Sequence, residues 1–155
     1  MISYTMTSAH NNVRCHLPGM MLSLLLLSAG VVSGQTLQQQ IADCTNATLV
    51  INGGIWPEVI VIDKPLTLIG TNWPKICPAN LDDYYGTAVI ILSGNVTLRG
   101  FDIFNPQGVG QPGYQFAVWD ATWFVGPTNI SIEDCRIHDI QGGVYLSGNN
   151  NRIAG

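Results

Sequence analysis

The chain has 155 residues and a formal net charge of −4, with 46% hydrophobic and only 10% charged residues. This composition excludes a disordered tail and a basic nucleic-acid-binding protein, and it indicates one domain. The 17 glycines and 8 prolines separate short apolar runs. We therefore expect many turns and brief strands rather than long amphipathic helices.

The first predicted element is a signal peptide that spans residues 1–34. Residues 20–35, MMLSLLLLSAGVVSGQ, contain an apolar run followed by small residues that resemble a signal-peptidase site. The run is too short to span a bilayer. Arg14 is the only Lys or Arg ahead of it, which leaves Met6 and Met20 as alternative starts. The other interpretation is a buried hydrophobic element. Cleavage would give a secreted, periplasmic or cell-surface protein without a stable membrane span.

Three cysteines follow the signal peptide. Cys44 and Cys77 lie in polar, turn-like segments, and export would favour a disulfide between them. Cys135 occupies the position of Phe101 in the repeat described next, so we expect a small buried apolar residue that stays reduced. Asn46 begins the N-glycosylation sequon Asn-Ala-Thr and is the candidate for that modification.

A repeated sequence begins near residue 61. Residues 93–105 read SGNVTLRGFDIFN and residues 127–139 read PTNISIEDCRIHD, and further copies occur at 61–70 and 145–155. Apolar residues alternate with polar ones in the copies, which predicts short β-strands with one buried side. The predicted inward positions are Leu66, Leu68, Val96, Leu98, Ile130, Ile132 and Ile153, and the predicted outward positions are Thr67, Thr97 and Ser131.

The spacing of the copies predicts a solenoid. Leu68 and Leu98 are 30 residues apart, Leu98 and Ile132 are 34 apart, and Ile132 and Ile153 are 21 apart. The interval of 21 residues is the length of one solenoid coil without inserted loops, and the intervals of 30 and 34 residues leave room for loops. Neither two-residue hairpin turns nor intervening helices are indicated, so equivalent strands are expected to stack in parallel.

Asparagines mark the bend before these strands. Asn95, Asn129 and either Asn149 or Asn150 occupy the equivalent place, where Asn tolerates a left-handed conformation and its amide can stack on the next coil. Asn95 and Asn129 also begin sequons, so glycosylation is the competing interpretation. Because the strand needs an outward Thr or Ser in any case, we favour a stacked asparagine ladder.

The runs VIDKPLTLIG, NVTLRGFDI, NISIEDCRI and GVYLSGNNNRIAG resemble the right-handed parallel β-helix of the pectin-lyase superfamily. They are similar in particular to its NosD-like and carbohydrate-binding, sugar-hydrolase repeat members. The resemblance covers about residues 45–155. It implies an all-β, right-handed parallel β-helix. Because the fourth copy of the repeat stops at NRIAG, residues 35–155 are expected to be the N-terminal coils of a solenoid that continues beyond Gly155. Such motifs are specific for a fold and much less so for a function.

The resemblance implies an exported protein that binds carbohydrate or acts at the cell surface, with a polysaccharide or cell-surface glycan as partner. Two insertions, 71–86 with Trp73 and 105–128, combine aromatic rings with polar groups and are expected on the coil surface, and the candidate contacts lie in the second. They are Tyr114, Trp119, Asp120 and Trp123. The alternative is that these aromatics cover the coil, and the strand-like FAVWD favours a core position for Trp119.

Enzyme activity is left open because no complete catalytic motif occurs. Outward charges are predicted to form stacked ion pairs, and the alternative is a carboxylate pair that acts on a glycosidic bond. The predicted pairs are Arg99 with Glu133 and Asp102 with Arg136. His138 is predicted to be a turn residue, and no metal site or cofactor is indicated. The alternative functions are a polysaccharide lyase or glycoside hydrolase fragment, a structural or adhesive surface repeat, and a NosD-like periplasmic maturation protein.

Overall fold

The computed structural model of the chain describes residues 34–79, 86–108, 116–122 and 124–155. Across these ranges the chain winds into a solenoid whose coils each contribute one strand to each of three parallel sheets. The predicted signal peptide, apart from Gly34, lies outside the described residues. Within the described ranges no helix has the length and apolar character that a membrane span requires.

Short strands follow one another along the chain, and one helix precedes them in the described ranges. The elements are α1 (Leu37–Asp43), β1 (Thr48–Asn52), β2 (Ile55–Trp56), β3 (Ile60–Ile62), β4 (Leu66–Thr71), β5 (Lys75–Ile76), β6 (Thr87–Ile91), β7 (Val96–Arg99), β8 (Asp102–Phe104), β9 (Phe116–Trp119), β10 (Ile130–Glu133), β11 (Arg136–His138), β12 (Gly142–Tyr145) and β13 (Arg152–Ala154). Sheet A has the order β1-β4-β7-β10-β13, sheet B β2-β5-β8-β11 and sheet C β3-β6-β9-β12. Coil 1 contains β1 to β3, coil 2 β4 to β6, coil 3 β7 to β9 and coil 4 β10 to β12.

Strand pairing confirms the register predicted from the repeat. The paired rows of sheet A are Leu66, Val96 and Ile130, and then Leu68, Leu98, Ile132 and Ile153. All of these pairs are parallel, so the predicted all-β parallel solenoid is confirmed. Sheet A also contains strand β1, which the sequence repeat did not reveal. Leu49 of β1 pairs with Leu68 of β4.

The core is a continuous apolar column inside the coils. Inward residues such as Leu68 of sheet A, Ile76 of sheet B and Val89 of sheet C are fully buried and pack together. Burying one such side chain contributes about 1.5–3 kcal/mol, so the column supplies most of the driving force for folding. Ile153 is in register but 64% exposed, because β13 is the last described strand of sheet A.

A short helix covers the first coil, which the sequence patterns did not predict. Thr36 caps α1 by accepting a hydrogen bond from a first-turn backbone N–H at 3.0 Å. Leu37 and Ile41 are buried in the core. The Gln38 amide bonds both backbone groups of Val61, donating to its O at 3.2 Å and accepting from its N at 2.7 Å. The side chain thereby satisfies part of a strand edge in sheet C that would otherwise be open.

The predicted asparagine bends are confirmed. Asn95, Asn129 and Asn150 have φ of 57°, 59° and 57°, in the left-handed region. Asn129 Nδ2 donates to Asn95 Oδ1 at 3.0 Å. The register of β10 with β13 places Asn150, rather than Asn149, at the equivalent position. The ladder therefore links the bends that begin coils 3 and 4.

The segment 105–128 is not the single insertion that the sequence suggested. Strand β9 runs through it, pairs with β6 and β12, and places Ala117 and Val118 in the core. The connection from β8 to β9, between sheets B and C, is therefore separate from the connection from β9 to β10, between sheets C and A. The strand-like run FAVWD, which favoured a core position for Trp119, therefore contains strand β9.

Candidate functional site

The outer side of sheet B carries aromatic and charged side chains from successive coils. Lys75, Asp102 and Arg136 occupy paired positions in β5, β8 and β11. The inward neighbours Ile76 and Ile103 are fully buried, and alternation along a strand directs the charged residues outward. We call this surface the sheet B face, and it comprises Trp73, Lys75, Asp102, Phe104, Arg136, His138 and Asp139.

Trp73 reaches the sheet B face from a strained turn between β4 and β5. Asn72 and Trp73 have φ of 59° and 52°, which is the left-handed region. A bulky side chain is rare there, and holding one costs on the order of 1–3 kcal/mol. Trp73 as a whole is 38% exposed. It also lies against the Arg136 guanidinium, whose Cζ is 3.7 Å from the ring centroid, so residues of coils 2 and 4 meet across coil 3.

His138 bridges two carboxylates on the same face. Its Nε2 lies 3.0 Å from Asp102 Oδ1 in coil 3, and its Nδ1 lies 2.7 Å from Asp139 Oδ2 in its own coil. Its ring stacks on Phe104 with a centroid distance of 4.9 Å and an interplanar angle of 10°. The hydrogen bond to Asp139 and then that to Asp102 raise the pKa of His138 above 6.5, against the opposing effect of burial. The imidazole is thus held in position from three sides.

The sheet B face combines flat rings with charges of both signs. Lys75 Nζ lies 5.9 Å from the Phe104 ring centroid, so a second cation–aromatic contact adjoins the Arg136 pair. Burial raises the pKa of the nearby Cys77 thiol, which keeps it protonated and a poor nucleophile. In the described part of the chain, no group of three or more His, Cys, Asp or Glu side chains is arranged to hold a metal ion. The arrangement suits binding of a polar molecule with an apolar side.

The structure places two of the predicted glycan contacts in the interior. Trp119, the last residue of β9, is 2% exposed, and Asp120 is completely buried. The Asp120 carboxylate accepts hydrogen bonds from the backbone N–H and hydroxyl of Ser147 and from the backbone N–H of Thr122. It joins coil 3 to coil 4, and both of its oxygens are occupied by protein donors. The other two predicted contacts, Tyr114 and Trp123, lie outside the described residues.

The cysteine and glycosylation predictions concern separate parts of the coil. Cys44 lies before β1 and donates from Sγ to Asn46 O at 3.3 Å, whereas Cys77 follows β5 in sheet B. Both are free thiols in the structure, and their oxidation after export stays a prediction. Asn46 is exposed, and its glycosylation also stays a prediction. Cys135 occupies the Phe101 position as predicted, but it is only half-buried because β11 is the last described strand of sheet B.

Three details of the predicted surface need correction. His138 is not a turn residue, because it ends β11 and pairs with Phe104. Arg99 pairs with Asp134, from Nε to Oδ2 at 3.2 Å, and not with Glu133. Asp102 lies opposite Arg136 in register, but its side chain bonds His138. The αL backbone of Asp134, with φ of 47°, explains why this carboxylate reaches Arg99 from the turn.

Sequence reasoning missed that Trp73, Phe104 and His138 share a surface with Asp102. Part of the signal was present, since the 34-residue offset that aligns Val96 with Ile130 also aligns Phe104 with His138. Trp73 was expected on a surface loop, but its contact with Arg136 had no such signal, because it depends on a turn outside the repeat register.

Neither a protein-family model, nor a curated protein sequence, nor a solved structure gives a significant match to the chain.

Proposed function

We propose that these coils belong to an exported carbohydrate-binding protein of the right-handed, pectin-lyase-like β-helix type, and that the sheet B face contacts the glycan. The observation that carries the proposal is the placement of Trp73. Its backbone lies in a conformation that is costly for a tryptophan, yet its indole remains partly open to solvent. Strain of this kind is concentrated at ligand sites, where a side chain must be displayed in one position.

The chemistry around Trp73 supports a sugar rather than a purely apolar ligand. The apolar face of a pyranose packs against an aromatic ring, while its hydroxyl groups need hydrogen-bond donors and acceptors at the edge. Arg136 and Lys75 supply donors and the exposed Asp139 supplies an acceptor. These groups come from coils 2 and 4, on either side of coil 3, so the face extends over three adjacent strands and can contact more than one sugar unit of a chain.

A structural or adhesive surface repeat is the second candidate, and the outer side of sheet A favours it. That side carries Thr67, Thr97 and Ser131 in one row, and ion pairs between exposed side chains such as Arg99 with Asp134. Short polar residues and exposed ion pairs suit a solvated or packing surface. The two candidates therefore assign different roles to different sheets.

The test is binding to a glycan array, followed by calorimetry with the best-binding glycan. Trp73→Ala is expected to weaken binding by about 1–3 kcal/mol, because it removes the aromatic platform. The matched control is Phe124→Ala, which removes an exposed aromatic ring from the loop between sheets C and A. The control is expected to bind like the unmodified chain. Circular dichroism of both variants checks that the coils remain folded.

The same measurement separates the sheet B face from the contacts first predicted in the insertion. Tyr114→Ala and Trp123→Ala are measured beside Trp73→Ala. If either of them abolishes binding while Trp73→Ala leaves it intact, the glycan site lies in the insertion. A blank array, from an extended panel of neutral and acidic glycans, would instead favour the structural repeat.

A further inference from the structure

His138 is the one described side chain of the sheet B face that bonds two carboxylates from different turns. Asp102 belongs to coil 3, whereas Asp139 lies in the bend that follows β11 in coil 4. The two ring nitrogens point at these groups, at 3.0 Å and 2.7 Å. Stacking on Phe104 fixes the plane of the ring. A rotation of the His138 side chain that improves the hydrogen bond to one carboxylate therefore weakens the hydrogen bond to the other.

Counting donors and acceptors shows which form of the ring this geometry requires. An ionised carboxylate only accepts hydrogen bonds, so each of the two contacts needs an N–H from the ring. Neutral imidazole has a single N–H, and only the imidazolium form has two. We propose that His138 is a pH-sensitive latch, which as an imidazolium ties Asp102 to Asp139 and on losing a proton releases Asp139.

The two hydrogen bonds do not break equally easily. Asp102 is 7% exposed, and a buried carboxylate left without its donor is costly. The proton therefore leaves from Nδ1 to solvent, and the Nε2–H continues to donate to Asp102. The Nδ1 lone pair then faces Asp139 Oδ2, and the exposed Asp139 side chain turns away. Coil 4 thereby loses the hydrogen bond between His138 and Asp139, while the hydrogen bond from His138 to Asp102 still joins coils 3 and 4.

The charges around His138 have opposing effects, and the two direct contacts dominate. Lys75 in β5 and Arg136 in β11 disfavour a further positive charge, whereas Asp102 in β8 and Asp139 in the bend favour it. Cys77, which follows β5, is a neutral thiol. The hydrogen bond to Asp139 is the largest cause of the raised pKa of His138, and Asp102 adds to it. The latch is accordingly closed below pH 6.5 and opens as the pH rises through the raised pKa.

Opening the latch changes the proposed glycan surface, and this consequence rests on the proposed function. When closed, the latch holds the imidazolium flat on Phe104 and fixes the Asp139 carboxylate beside it. When open, the Asp139 carboxylate loses that fixed position and the positive charge of the ring is gone, while the ring keeps its hydrogen bond to Asp102. Glycan affinity is therefore expected to fall at higher pH. The fall is about two- to fivefold if the latch contributes as much free energy as an exposed ion pair.

The decisive experiment is a proton NMR titration of the His138 ring in the full chain. His138→Gln assigns its signal, because the chain has three histidines. The titration midpoint is expected above 6.5, and Asp139→Asn is expected to lower it. The matched control is Asp134→Asn, since Asp134 is also an exposed aspartate with positive φ but bonds Arg99. A midpoint at or below 6.5, or equal shifts in the two variants, overturns the latch.

Array binding at about pH 5.5 and about pH 8.5, on either side of the ordinary histidine range, tests the consequence separately. Loss of signal at the higher pH in the unmodified chain, but not in His138→Gln, supports the link to binding. Equal pH dependence in both proteins contradicts that link. A blank array at both values contradicts the proposed function alone, and the NMR titration still decides whether the latch exists.

Discussion

Sheets A and B are built from the same coils, yet their outer sides differ. In sheet A, Thr67, Thr97 and Ser131 repeat in register and the bends carry asparagines that stack. In sheet B, paired outward positions hold Lys75, Asp102 and Arg136 in turn. One outer row of sheet A therefore repeats short hydroxyl side chains over coils 2 to 4, whereas the outer row of sheet B changes residue type from coil to coil.

The difference indicates where function is to be sought in a solenoid. A position that repeats from coil to coil is explained by the demands of stacking, which every coil shares. A position that breaks the repeat needs a separate reason, and Trp73 and His138 both break it. The sheet B face is for this reason the candidate site, and sheet A is the scaffold.

The largest expected effect tests whether the two sheets share one core. Leu98→Ala in sheet A and Ile103→Ala in sheet B are each expected to lower the free energy of unfolding by about 2–5 kcal/mol, because both side chains are fully buried. Thr97→Ala, on the outer side of β7, should change it by less than about 0.5 kcal/mol. Urea unfolding followed by circular dichroism measures all three. A small effect at Ile103 alone would mean that the inner side of sheet B is not part of the common core.

A smaller effect is expected at the corner that joins the two sheets. Gly100 has φ of 76°, and a Cβ there would lie 2.4 Å from Gly70 O. At the equivalent place in coil 4, Asp134 has φ of 47° and is tolerated. Gly100→Asp is therefore expected to lower the free energy of unfolding by about 1–3 kcal/mol, whereas Asp134→Gly costs less than about 1 kcal/mol. Equal losses of unfolding free energy in the two variants would show that the nearby Gly70 backbone of coil 2 does not make Gly100 differ from Asp134.

The comparison also explains how much of the fold was predictable. The inner rows, the register and the asparagine ladder followed from the sequence, because stacking repeats the same residue type at a fixed place in each coil. Helix α1 was not predicted, since it occurs outside the repeat and covers the end of the core. Strand β9 was indicated only by the strand-like run FAVWD, because its four residues interrupt what looks like one long insertion.

The candidate site was predictable only in part. The alignment of Asp102 with Arg136 was predicted from the repeat, and Phe104 and His138 follow the same offset. Hydrogen bonding by His138 depends on the φ of 51° at Asp139, and display of Trp73 depends on two successive left-handed residues. Asn72 and Asp139 are residue types that tolerate this conformation, but a turn signal does not specify which groups the neighbouring side chains contact.

The smallest expected effect on stability separates the two sheets most directly. Arg99 lies on the outer side of sheet A and pairs with Asp134, both side chains being 55% exposed. Arg136 lies on the sheet B face against Trp73. Arg99→Ala is expected to change the free energy of unfolding by less than about 0.5 kcal/mol, because exposed ion pairs contribute little. Arg136→Ala should be nearly as mild, with a loss of about 0.5–1 kcal/mol from the cation–aromatic contact.

In binding, the two arginine variants are expected to differ. Arg136→Ala removes both a hydrogen-bond donor and the support of the Trp73 ring, so glycan affinity is expected to fall by about 1–2 kcal/mol. Arg99→Ala should leave it unchanged, because that side chain lies on another sheet. Calorimetry on the two variants, with urea unfolding as the stability reference, makes the comparison. If both lose affinity equally, the glycan does not distinguish sheet A from sheet B, and the periodic surface is as good a binding site as the irregular one.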